Sequence, residues 1–76
     1  MQKETIQTID RAFQILDCFT LDQFSLGVRE VARLSGLPVS VCGRLMSSLR
    51  DLGMLNQDNR TKEYLVGSKS LRWAEI

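Results

Sequence analysis

Histidine is absent from this chain, and cysteine, proline, tryptophan and tyrosine are scarce, at two, one, one and one among 76 residues. Histidine is the side chain whose ordinary pKa lies nearest neutrality. No carboxylate pair, and no cysteine beside a candidate base, stands in for it. General acid–base and nucleophilic chemistry therefore have no seat, and an enzyme is not expected. Cys18 and Cys42 fall on apolar helical faces and read as small buried hydrophobes; a metal site needs partners that are not present. Neither a metal nor a cofactor is expected. No apolar run approaches the ~20 residues of a membrane span. The opening MQKETIQTID lacks the apolar core of a signal peptide, so a cytoplasmic protein without membrane contact is expected.

Charge of either sign is also in short supply, with a formal net of +1, but it is unevenly spread. Residues 1–30 carry a net −2, residues 31–62 a net +3, and the remainder balances. The basic part of the chain is its middle, which is where a polyanionic partner would be met. With 43% hydrophobic and 25% charged residues the composition is globular. The length allows one domain with a small core.

Apolar spacing sets out the elements. In TIDRAFQILDCFT (8–20), Ile9, Ala12, Phe13, Leu16 and Phe19 recur at helical intervals. Thr8 is the expected N-cap, and Asp10 suits the positive end of the first turn. Leu26 can pair as a very short strand. VREVARLS (28–35) is a second helix burying Val28, Val31 and Ala32, with Gly27 as N-cap, Glu30 near the orphan amides and Gly36 as a left-handed C-cap. Pro38 fits the first position of a third helix over about 38–52, stopped by Gly53; its apolar face is Cys42, Leu45, Met46, Leu49 and Leu52. After Gly53 the period shortens to two. MLNQD and EYLVG form a hairpin around Asn59–Lys62, with Asn59 the residue most tolerant of left-handed backbone. SKSLRWAEI (68–76) is helical again, with Ser68 as candidate cap.

This order defines a mainly α fold with a small β-hairpin wing: a winged helix–turn–helix with a three-helix core, a two-stranded wing and a C-terminal linker helix. The helix–turn–helix occupies about 28–52, the wing about 54–66, and the domain 1–67. Such a motif presents its second helix to the DNA major groove while the wing reaches the flanking backbone.

The sequence also resembles the N-terminal DNA-binding domain of IclR-type transcriptional regulators. The resemblance is carried by Thr8-Ile9-Asp10-Arg11-Ala12, Ala32, Gly36-Leu37-Pro38, Ser40, Arg44-Leu45, Leu52-Gly53, Tyr64 and Gly67. It implies a homodimeric bacterial regulator of palindromic double-stranded operators, with a small-molecule effector bound by a larger C-terminal domain outside these residues. On that reading 68–76 is the start of the linker helix toward that domain. Ser40 and Arg44 match the family's pattern. Val39, Val41 and Gly43 stand where it usually has polar residues, and Lys62 stands in a wing turn that often holds Gly.

The candidate DNA contacts lie on the third helix, at the wing tip and at the start of the second helix. Arg44 lies one turn after Ser40 on the same face, and an arginine can pair bidentately with guanine or hold phosphate. Ser47 can bond phosphate or water. Arg50, near the helix end, also complements the helix dipole. Gly43 costs about 1 kcal/mol against Ala in a helix interior, which close approach to DNA or a packed partner helix would explain. Val39 and Val41 can touch thymine methyls, or form an apolar patch for a protein partner. That second use, a winged helix serving protein–protein contact, is the alternative function. Arg60 and Lys62 at the wing tip, and Arg29 at the start of the second helix, suit the DNA backbone. Dimer contacts are expected from the first and last helices, through Ile15, Phe19, Trp73 and Ile76.

Overall fold

The computed structural model describes the backbone of residues 3–76 and the side chains of residues 6–76. The elements are α1 (Lys3–Leu16), β1 (Ser25–Leu26), α2 (Val28–Ser35), α3 (Val39–Asp51), β2 (Leu55–Gln57), β3 (Tyr64–Val66) and α4 (Lys69–Ala74). The fold is a winged helix. Its sheet is antiparallel in the order β1-β3-β2, so the hairpin gains β1 as a third strand through Ser25↔Leu65 and Leu26↔Tyr64.

Local chemistry sets the boundaries of the central helices. The Gly27 N–H donates to Glu30 Oε1 at 3.1 Å, half of a capping box, since glycine has no side chain to complete it. Gly36 closes α2 at φ 78°, its N–H reaching back to the Ala32 carbonyl at 2.9 Å. Pro38 sits just before α3 as its N-cap, not in its first turn; its carbonyl accepts the first helical bond, from Cys42. α3 ends in a Schellman arrangement. Gly53, at φ 92°, donates to the Arg50 carbonyl, and Met54 donates to that of Leu49.

The core takes one or two side chains from each of six elements: Ile15, Leu26, Val31, Ala32, Cys42, Met46, Leu55 and Tyr64. No charged or polar side chain is buried among the described residues. Val28, Leu37, Leu45, Leu49, Leu16, Cys18 and Phe19 pack against this cluster, partly covered.

Several expectations are corrected. α1 begins at Lys3 and ends at Leu16, so Thr8 is inside the helix and is not its cap. Its buried face is also turned: Ile15 is fully buried, whereas Ile6, Ile9 and Phe13 are 48%, 54% and 61% exposed. Ile15 is thus a core residue and has no surface to offer a second copy. Leu52 follows α3 and is exposed instead of completing its apolar face. In the wing turn the left-handed residue is Lys62, at φ 68°, not Asn59. Ser68 is the N-cap residue of α4, but its side chain makes no capping hydrogen bond; Ser70 Oγ donates to the Gly67 carbonyl there instead.

Candidate nucleic-acid interface

α3 is fixed to the domain by Cys42 and Met46, both fully buried, with Leu45 and Leu49 packed beside them. Helical geometry then turns Ser40, Arg44 and Ser47, at i, i+4 and i+7, to the opposite side. Ser40 and Arg44 are exposed and Ser47 is half-buried. Small hydroxyls around one long cation leave a face slim enough for a groove about 12 Å wide. Val39 is exposed in the first turn, while Val41 is half-buried, so the two do not form one open apolar patch. Packing does not require Gly43, since a side chain there would find only ordinary contact. A Cβ built there points at α2 and meets Val28 Cγ1 at 3.8 Å.

The wing is braced from three directions. Asp58 Oδ1 accepts the N–H groups of Arg60 and Thr61, at 2.7 and 3.1 Å. Glu63 Oε1 accepts from Ser25 Oγ at 2.7 Å, tying the tip to β1. Arg50 Nη1 donates to Gln57 Oε1 at 2.6 Å, tying it to the end of α3. Lys62 and Arg29 line one open recess of about 520 Å³ between the start of α2 and the wing, with Glu30, Gln57 and Thr61. Two cations the sequence separates by 33 positions therefore line the same recess.

A division of charge runs through this surface. All four acidic side chains of residues 30–63 are held in internal hydrogen bonds: Glu30 on Gly27, Asp51 on Arg50, Asp58 on the wing backbone and Glu63 on Ser25. Arg29, Arg33, Arg44, Arg60 and Lys62 are exposed, and none has a side-chain hydrogen bond or ion pair among the described residues. Arg50 is the exception. Its Nε and Nη2 both lie 3.2 Å from Asp51 Oδ1, and its third nitrogen is on Gln57. Sequence reasoning missed Arg33, whose signal was its place one turn after Arg29 on α2. It also missed Gln57, which only the fold brings to Arg50.

The described residues hold no cluster of three metal-binding side chains, and no helix is long and apolar enough to cross a membrane. Cys18 and Cys42 are free thiols. Partial burial, with Cys42 and Asp17 nearby, pushes the Cys18 thiol up, away from the reactive thiolate.

Comparison with known proteins agrees with this fold. The sequence model of the IclR helix–turn–helix domain matches residues 8–59. The chain is 33% identical over 64 residues to the HTH-type transcriptional regulator XynR of Escherichia coli (strain K12), a match covering 84% of this chain and 25% of that protein. It is 32% identical over 66 residues to the HTH-type transcriptional regulator TsaQ1/TsaQ2 of Comamonas testosteroni, covering 87% and 23%. Its fold is similar to the crystal structure of an IclR family transcriptional regulator from Brucella abortus, with a TM-score of 0.87, 34% identity, and 90% of this chain and 26% of that one covered. The chain thus spans about a quarter of the length of the curated relatives it matches.

Proposed function

Since this chain belongs to the IclR helix–turn–helix family, we propose that it is the operator-reading domain of a bacterial transcriptional regulator and acts by binding double-stranded DNA. α3 enters the major groove, Ser40 and Arg44 meet base edges or phosphates from its outward face, and Ser47 lies deeper along the same face. Arg29, Arg33, Arg60 and Lys62 hold the sugar–phosphate backbone. Val39, exposed at the start of α3, is placed to touch a thymine methyl group. The observation that carries this reading is the division of charge: five unpaired cations project around the helix–turn–helix and wing, while the neighbouring carboxylates are engaged internally.

The reading extends to a homodimer on a palindromic operator. Two half-sites one helical turn apart, or a multiple of it, mirror a two-fold protein axis. The apolar stripe of Ile6, Ile9 and Phe13 on α1, with Trp73 and Ile76 at α4, is the surface we assign to the second copy. Response to a small-molecule effector is assigned to a C-terminal domain of the regulator, not to these residues.

Enrichment of a random duplex pool by the purified chain at low salt, beside Arg44→Ala, tests the proposal. The expected result is an inverted repeat that the variant fails to enrich. Equal, featureless recovery by both proteins would remove sequence reading from α3.

A further inference from the structure

Lys62 is the only described non-glycine residue with positive φ. A side chain with a Cβ resists left-handed backbone, which persists where the surroundings enforce it. Here the enforcement is visible on both sides of the residue. The Lys62 N–H donates to the Asp58 carbonyl at 2.7 Å, and its own carbonyl accepts from Gln57 Nε2 at 3.1 Å. Gln57 is oriented in turn from the end of α3, where Arg50 Nη1 donates to its Oε1 at 2.6 Å. Arginine has only donors, so the glutamine must present its oxygen to Arg50. That leaves its NH₂ for Lys62. Asp51, on Arg50 Nε and Nη2, holds the guanidinium in place for this contact.

We propose that Arg50 and Gln57 are positioning residues for DNA binding. They form a two-link relay from the recognition helix that holds Lys62 in its left-handed turn and keeps it at the recess it shares with Arg29. The role rests on the DNA-binding reading above. Arg50, although basic and on α3, then acts through Lys62 and not on a phosphate. Lys62, one of the wing's two cations, is set in register with α3 by the helix itself.

Two measurements test the relay. In the DNA-free chain, Gln57→Ala should lower the NMR order parameters of Thr61, Lys62 and Glu63 from about 0.85, the rigid range, to below about 0.6. The amides of Met46 and Leu55 should keep their values. Arg50→Ala, cutting the relay at its exposed end, should do the same and serves if Gln57→Ala folds poorly. Binding to a mixed-sequence duplex is then followed across salt. Lys62→Ala should flatten the log–log slope by about 0.9, one phosphate contact, and the Arg50→Ala/Lys62→Ala pair should flatten it no further. An ordered tip in both single variants overturns the relay while leaving DNA binding intact. A double variant that loses about 1.8 restores Arg50 as a direct contact and also overturns it. A wild-type chain that fails to bind duplex overturns the DNA-binding reading, and this role with it, whatever the tip does.

Discussion

A methyl group added at Gly43 meets Val28 Cγ1 at an ordinary 3.8 Å, and the backbone there is helical. The glycine therefore forgoes helix propensity with no conformational need to offset it. Gly43→Ala should stabilise the domain by about 1 kcal/mol, raising Tm by roughly 4–8 °C for a domain this small; an unchanged or lower Tm would sink this account. Gly67 is the opposite case. A Cβ there overlaps the Gly53 carbonyl oxygen and crowds the Met54 carbonyl carbon at 3.0 Å. Both are backbone atoms that cannot swing aside, so Gly67→Ala should cost about 1–3 kcal/mol in the same unfolding measurement. Cys18 supplies the pH dependence. Its thiol is pushed up in the folded chain by partial burial, then by Cys42 and Asp17, so the folded state keeps its proton at the pH, set by the ordinary thiol pKa, at which the unfolded chain releases it. The favourable contribution is complete below that pH and is lost as pH rises toward and through the folded value. Cys18→Ser should remove that part of the alkaline loss of stability. Iodoacetamide should alkylate Cys18 in the folded chain more slowly than the same residue in urea.

α2 and α3 were legible almost to the residue because their ends are written in local chemistry. Glu30 reaches the Gly27 amide, Gly36 takes the left-handed cap, and Gly53 closes the Schellman turn. α1 was legible as a helix but not in its orientation. Its apolar residues fall on two nearly opposite sides, Ile15 on one and Ile6, Ile9 and Phe13 on the other, and periodicity alone cannot say which of them meets α2 and α3. Lys62 and Arg50 defeated local reading for a related reason. What fixes them is Gln57, a partner on another element. The stripe left outside on α1 gives the prediction at this scale. Phe13→Glu should leave circular dichroism and Tm nearly unchanged, since the side chain is 61% exposed. On a duplex carrying the inverted repeat, the wild-type chain should fill both half-sites cooperatively and Phe13→Glu should fill them independently. Equal cooperativity would take the dimer face away from α1.

A net charge of +1 gives little reason to expect DNA binding, yet net charge weighs every carboxylate as if it faced the partner. Here the carboxylates of the helix–turn–helix and wing are bonded to backbone amides, to Ser25 or to Arg50, which fixes their positions within the domain. Apart from Arg50, the cations around them are unpaired. The salt dependence of binding should therefore follow the number of cations laid on phosphates and not the sum over the chain. If Arg29, Arg33, Arg44, Arg60 and Lys62 each meet a phosphate, the logarithm of the binding constant should fall against the logarithm of salt with a slope of about −4.5 per chain, at roughly 0.9 per contact. Arg44 is the informative one to remove. A phosphate contact predicts that Arg44→Ala flattens the slope by about 0.9 on every duplex alike. A base contact predicts an unchanged slope with a loss of about 1–3 kcal/mol confined to the cognate site. A wild-type slope near zero would contradict the charge division as the source of affinity, because binding without counterion release cannot come from cations laid on the backbone.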